Sequence, residues 1–367
     1  MIRPVLALAA TAAFFPTLHA QDDHRAQPPG GTGATAQAQP NPRTEEHDAL
    51  RSFVGTWEVT CKMTTADGQT MEAKGIERAE LMCNGLWLKA TGEGTWGDTP
   101  YRMLWLLGYD PHGKSFRGVC VDNHEPSPVE NEGHYDADSK TFTFRGTGQQ
   151  GPFEVTSVVK DADTIVETGT CRMDGKECKM EITRKRTSGK APAEASAAKG
   201  DGDGEERAEL ARLVGTWEAT MKVAPTPGAP VQEMKGSEVV VPVCAGRYVW
   251  TTFSMDWQGR PFEGHALFGY DEQQKKFVSY WIDSMSPSLS KSTGSLDASG
   301  KVLTMHGSSR DAAGKPVSTT ETHTWKGEGE RHMKMEMRGE QAESFEITYA
   351  RKDDAARSSG KGAEDGK

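Results

Sequence analysis

The chain has 367 residues, with 43 lysines and arginines against 53 aspartates and glutamates and a net charge of −10. That balance speaks against a nucleic-acid partner, which needs a basic face. No apolar run approaches the ~20 residues of a membrane-crossing helix, and the length suits two domains of ordinary size.

Residues 1–20 read as a secretory signal peptide: Arg3 supplies the positive start, Leu6 to Phe15 is a short apolar run, and Ala20 suits the residue before cleavage. The mature chain is therefore expected in a periplasm or outside the cell. Residues 21–44 are rich in Gly, Ala, Gln and Pro and bury little, so a disordered leader is expected. Residues 45–186 form a first block, 187–205 a flexible linker by composition, 206–352 a second block and 353–367 a polar tail.

The blocks are copies. Phe53-Val-Gly-Thr-Trp-Glu58 returns as Leu213-Val-Gly-Thr-Trp-Glu218, Gly108-Tyr-Asp110 as Gly269-Tyr-Asp271, and Glu181-Ile-Thr183 as Glu346-Ile-Thr348. Each opens on a short amphipathic stretch, Asp48 to Phe53 and Glu206 to Leu213, that predicts one short helix. Thereafter the period is two. Trp57, Val59, Cys61 and Met63 share one face, as do Met333, Met335 and Met337, which predicts strands with one buried side. About eight to ten meandering strands would expose their edges unless the sheet closed, and a closed barrel leaves room for a small ligand.

Five of the six cysteines lie in the first block and only Cys244 in the second. An oxidising compartment makes them disulfide candidates. Asp174-Gly175 is a two-residue hairpin signal that sets Cys171 opposite Cys178, within disulfide reach. Cys61 is the rival partner, because first and last strands meet in a closed barrel, and the pairing of Cys61, Cys83, Cys120 and Cys244 stays open.

A short helix running into Gly-Thr-Trp resembles the entry to lipocalin-like barrels, where the Trp plugs one end. The fuller pattern of the second block is Gly246-Arg-Tyr248, Pro261-Phe-Glu-Gly264, Phe268-Gly-Tyr-Asp271, Tyr280-Trp-Ile-Asp-Ser284 and Phe345-Glu-Ile-Thr-Tyr-Ala-Arg351. It resembles the bacterial family known only as domain of unknown function 1579. The first block is a diverged copy, with Cys120 for Trp281, Arg102 for Glu263 and Leu104 for His265. The resemblance implies two tandem lipocalin-like antiparallel β-barrels, an all-β fold, each barrel preceded by a short N-terminal helix. It brings no catalytic residues.

Gly146-Thr-Gly-Gln-Gln-Gly151 has nucleotide-loop spacing, but Phe153 to Val159 reads as a strand where a helix is needed, so a hairpin turn is expected. Asp201-Gly-Asp-Gly-Glu205 falls short of a calcium loop. The Met333, Met335 and Met337 thioethers could bind Cu(I), yet the same face would place them in a core, where Met fills gaps. His265 lies on the face opposite to Phe262 and Phe268 and is read as solvated or hydrogen-bonded rather than ligating. Asp122 and Asp283 either cap a turn or sit buried inside a barrel, in which case Arg247, Tyr270 or a bound ligand is the expected partner.

The expected function is non-catalytic binding of a small, partly apolar molecule. Trp217, Tyr248, Phe262, Trp281 and Asp283 are the candidate ligand-binding residues of the second barrel, with Trp57 and Asp122 their counterparts in the first. No catalytic residue, metal or cofactor is assigned, and the oligomeric state stays open. The alternatives are an isomerase or hydrolase using Asp283 with His265 or Tyr280, and an envelope interaction protein whose barrels are filled by side chains.

Overall fold

The structure, a computed structural model, describes residues 42–173, 176–188, 205–224, 230–257, 259–310, 315–339 and 342–352. The expected signal peptide, most of the leader and linker, the Asp174-Gly175 turn and the C-terminal tail lie outside them. A 3-10 helix (Glu45–Phe53) leads into β1 (Gly55–Thr65), β2 (Thr70–Met82), β3 (Trp87–Trp96), β4 (Thr99–Asp110) and β5 (Ser115–Asp122). The first half continues with β6 (Val129–Asp136), β7 (Thr141–Gly148), β8 (Gly151–Val159), β9 (Thr164–Met173) and β10 (Lys176–Arg186). Helix α1 (Glu205–Leu213) opens the second half. There follow β11 (Gly215–Val223), β12 (Gln232–Val243), β13 (Tyr248–Trp257), β14 (Arg260–Asp271) and β15 (Lys276–Asp283). The second half continues with β16 (Ser286–Leu296), β17 (Val302–Arg310), β18 (Pro316–Trp325), β19 (Glu330–Arg338) and β20 (Ala342–Arg351).

Each half is an antiparallel meander closed on itself, β1 pairing with β10 and β11 with β20. Closure removes the sheet edges that would otherwise invite aggregation. Alternation decides which side chains face in: Trp57, Cys61 and Met63 are buried while Glu58, Thr60 and Lys62 are exposed.

The repeated Gly-Thr-Trp closes one end of each barrel by the same contacts. The Trp57 indole N–H donates to the Phe53 carbonyl at 2.7 Å, and Trp217 donates to Leu213 at 2.8 Å. An arginine from the last strand lies 4.1 Å over each ring, Arg186 on Trp57 and Arg351 on Trp217. Each also donates to the carbonyl before the glycine, Val54 or Val214, at 2.7 Å. Gly55 and Gly215 have φ of 138° and 139°, and a Cβ there would collide with the arginine. Backbone conformation and packing both demand glycine at this point.

The barrels meet through the outer faces of equivalent strands. Leu104, Leu106, Val119 and Val121 of β4 and β5 form one apolar cluster with Trp250, Leu267, Val278, Tyr280 and Ile282 of β13 to β15. Polar contacts stitch the seam: Ser127 Oγ donates to Asp271 at 2.7 Å, and the Tyr280 hydroxyl and Lys291 ammonium donate to Glu130 at 2.8 and 2.6 Å. One surface used by both partners is the arrangement of a two-fold dimer, here within one chain.

Candidate functional site

Strand parity places the expected site residues in three environments. Trp217, Phe262 and Trp281 face inward and belong to the continuous core of the second barrel. Tyr248 does not line the interior as expected. It faces outward, in the seam with Cys83, Trp87 and Trp250, while its neighbour Val249 faces in. The cause is the 3-10 turn at Cys244–Gly246, whose Cys244 and Ala245 have φ of 50° and 56° and reset the alternation.

Asp283 and Asp122 cap the turns that end their strands. Asp283 Oδ1 accepts the backbone N–H of Met285 and Ser286 at 2.8 and 2.7 Å, and Oδ2 accepts the Trp281 indole at 3.0 Å. Asp122 Oδ1 accepts the N–H of His124 and Glu125, both at 2.7 Å, and Oδ2 takes the Tyr101 hydroxyl at 3.4 Å. These are the contacts of the turn-capping alternative; Arg247 donates to Glu272 at 2.8 Å. His265 lies on the outer face, stacked on Trp250 with centroids 5.0 Å apart, its ring nitrogens 3.2 Å from Thr252 Oγ1 and 2.7 Å from Glu263. Asp283, His265 and Tyr280 therefore do not converge.

The other local patterns resolve as turns and core. Gly148 pairs with Gly151 in the hairpin joining β7 and β8. Met333, Met335 and Met337 are buried in the second barrel. Cys171 stands directly opposite Cys178, as the turn signal requires, but both are thiols in this structure, as are the other four cysteines.

A cavity that could hold a ligand lies inside the first barrel. It measures about 200 Å³. Its walls are Cys61, Ala73, Gly75, Gly94, Met103 and Met180, with Trp96 and Tyr101 on one side. Tyr101 stays a hydrogen-bond donor, because burial, and then the nearby Cys120 and Asp122, push its phenol well above the usual range. Burial also pushes the Cys61 thiol up to about 11, with the Glu167 carboxylate adding to the effect.

The floor is a buried ion cluster. Arg184 on β10 meets Glu77 on β2 bidentately, Nε to Oε1 at 3.0 Å and Nη2 to Oε2 at 3.1 Å. Its Nη1 lies 2.7 Å from Glu167 on β9, whose Oε1 also accepts Ser157 at 2.6 Å. Burial works against the guanidinium charge, but Glu167 and Glu77 more than offset it and hold Arg184 protonated. Two carboxylates on one cation leave the floor one negative charge in excess.

The second barrel fills the equivalent space. Ala73 pairs with Cys61 where Met234 pairs with Met221, and Gly94 pairs with Gly75 where Met255 pairs with Gly236. Gly169 pairs with Met180 where Met335 pairs with Phe345. One exchange is compensated within the barrel: Trp105 and Cys120 in the first correspond to Ala266 and Trp281 in the second. The other exchanges are not, so the first barrel is hollow where the second holds Met255, Met335 and Phe345 at 7 % exposure or less.

Fold and cavity together define an all-β protein of two tandem closed ten-strand barrels. The chain belongs to the family described as Protein of unknown function (DUF1579), whose model matches twice, over residues 42–186 and 203–351. No curated protein matches it. Among solved structures, the S-type phycobiliprotein lyase CPES from Guillardia theta is similar at 12 % identity and a TM-score of 0.33, over 42 % of this chain and 100 % of that one. A DUF3598 protein of unknown function from Nostoc punctiforme is similar at 11 % identity and a TM-score of 0.27, over 84 % and 100 %. A de novo designed fluorescence-activating β-barrel gives 18 % identity and a TM-score of 0.23, over 38 % and 98 %. Likeness at these values transfers no function.

Proposed function

We propose that this protein is an exported, lipocalin-like binding protein whose first barrel holds a small, partly apolar molecule without chemical change. The observation that carries the reading is the cavity between Trp96, Tyr101 and the Arg184 cluster. A cavity of ~150 Å³ admits benzene, so this one suits about one ring with small substituents. Apolar walls with a few fixed polar groups are the usual make-up of such sites. The floor's excess negative charge favours a ligand that presents a hydrogen-bond donor or a positive group to Glu77, the acid of the cluster that lines the cavity. Trp57 acts as the end plug beneath the site, and Asp122 fixes Tyr101 rather than touching the ligand.

Native mass spectrometry of the purified chain, before and after denaturation, tests this reading. The expected result is a discrete adduct that is lost on unfolding and is absent from the variant Ala73→Met/Met180→Phe, which installs the second barrel's Met and Phe in the first. A chain without adduct across preparations, or an equal adduct on the filled variant, overturns the reading and favours an interaction role for both barrels. The same spectra test export through the mass of the N-terminus after passage through a secreting cell. They also test the Cys171–Cys178 disulfide, through a two-proton deficit.

A further inference from the structure

The seam between the barrels holds a second cavity, of about 240 Å³, which shares Gly92, Glu93 and Met103 of β3 and β4 with the first barrel's cavity. On one side stand Arg78, Lys89 and Arg102, on the outer faces of β2, β3 and β4. On the other are Trp250 and the Val241–Cys244 segment. Two acids, Glu80 and Glu93, also line it, so the cleft carries one net positive charge.

The cations are poorly matched by those acids. Lys89 is the most enclosed, its side chain 11 % exposed, yet its ammonium lies 3.8 Å from Glu80 and 5.0 Å from the Trp250 ring centroid. Arg78 lies 3.6 Å from Glu80, and Arg102 lies 3.8 Å from Glu93. All three are ion pairs whose distances exceed hydrogen-bond reach, so each cation keeps N–H donors that its acid does not take.

The barrel scaffold does not require these charges. Arg78 pairs with Thr56 where Val239 pairs with Thr216, and Lys89 pairs with Leu106 where Trp250 pairs with Leu267. Arg102 pairs with Glu93 where Glu263 pairs with Ser254. The same strand positions in the second barrel thus carry Val, Trp and Glu. Beside the cations the cleft is apolar, with Leu104, Pro242 and Trp250. The strip continues along β12, where Val241 and Val239 are 43 % and 42 % exposed.

We propose that the seam binds a monoanionic amphiphile, a carboxylate with a short apolar tail. The head sits among Lys89, Arg102 and Arg78, and the tail lies over Leu104 and Trp250 toward Val241. The head-group residues Lys89, Arg102 and Arg78 do not line the first barrel's cavity, and the site exists only where both barrels are present.

Isothermal titration with octanoate, octanol and octylamine as probes tests the proposal. The full chain is expected to bind octanoate, with octanol and octylammonium at least tenfold weaker. Lys89→Met and Arg102→Gln each weaken octanoate at least tenfold, Lys89→Arg retains binding, and Ala73→Met/Met180→Phe leaves it unchanged. On the unaltered chain, affinity falls as salt rises, since the head-group contacts are partly exposed and are screened. No octanoate binding, equal binding of octylammonium, or affinity indifferent to salt overturns the proposal without any variant. Octanoate lost in the filled-barrel variant but kept in Lys89→Met would place the probe in the first barrel instead. That result overturns the seam site; it supports a ligand in the first barrel's cavity but not that cavity's preference for a positive group.

Discussion

The two barrels share strand order, end plug and turn-capping aspartates, and they differ in what fills them. In the second, Met, Phe and Trp side chains form one continuous core around Trp217 and Trp281. In the first, the aromatic cluster around Phe53, Phe116 and Phe142 is separate from a smaller cluster of Cys61, Met63 and Cys178, and the cavity includes Cys61 among its walls. The closing contacts are kept in both copies because a barrel without its plug opens its core to water. The filling is free to change, because β-strand hydrogen bonding does not depend on which inward side chain a position carries. A duplicated barrel can therefore keep one copy as a packed support and hollow the other.

The ion clusters offer the most severe test of that contrast. Arg184 in the first barrel pairs with two buried carboxylates, whereas Arg331 in the second meets Glu238 and stacks 3.7 Å from the Tyr349 ring. Arg184→Met leaves Glu77 and Glu167 buried together and is expected to cost about 3–5 kcal/mol. Arg331→Met strands one carboxylate and should cost less. Urea unfolding of both variants gives the comparison. Adding Glu77→Gln and Glu167→Gln to Arg184→Met should recover part of the loss, and no recovery would mean the cost comes from packing instead of charge.

Exchanging fillings should have a smaller effect of opposite sign. Ala73→Met and Met180→Phe supply the first barrel with the second barrel's side chains, and cavity filling of this kind typically adds ~0.5–2 kcal/mol. Higher unfolding midpoints in urea are expected, together with loss of the adduct. A destabilised variant would show that the cavity walls cannot accept the larger groups, and that the hollow is held open by the backbone approach at Gly75 and Gly94, where a Cβ would strike the facing strand.

Much of this contrast is written in the chain, though not where the eye is drawn. Alternation from Trp57 to Met63 and from Met333 to Met337 reveals which side chains face in, and Asp174-Gly175 sets the register that puts Cys171 against Cys178. The choice of hollow barrel is legible only by aligning inward positions of the two blocks. There Ala73, Gly94 and Gly169 face Met234, Met255 and Met335. Aromatic density directs attention to the second block instead, and there it marks a packed core. Arg184 is harder to recognise, because Thr183-Arg-Lys-Arg186 looks like a solvated basic run. Barrel closure alone brings it to Glu77, 107 positions away. Tyr248 misleads because the turn before β13 breaks the alternation, and nothing in Cys244-Ala-Gly246 except the glycine announces it.

The smallest effect concerns the thiols, which the second barrel replaces with Met221 and Met337 at the positions of Cys61 and Cys171. Burial raises both thiols to about 11, helped by Glu167 at Cys61 and by Cys178 at Cys171. A raised thiol pKa means less of the reactive thiolate at a given pH. At pH 8 alkylation by iodoacetamide should therefore run on the order of a hundredfold slower than for an unperturbed cysteine of pKa ~8.5. The rate should climb about tenfold per pH unit and level off only near pH 11, measured by mass mapping of the reduced native chain. Steric shielding would lower the rate at every pH without moving that break, so the break reads the surroundings of the thiols. A break near pH 8.5 would mean that water fills this end of the first barrel, and an apolar ligand would then have no dry wall to prefer.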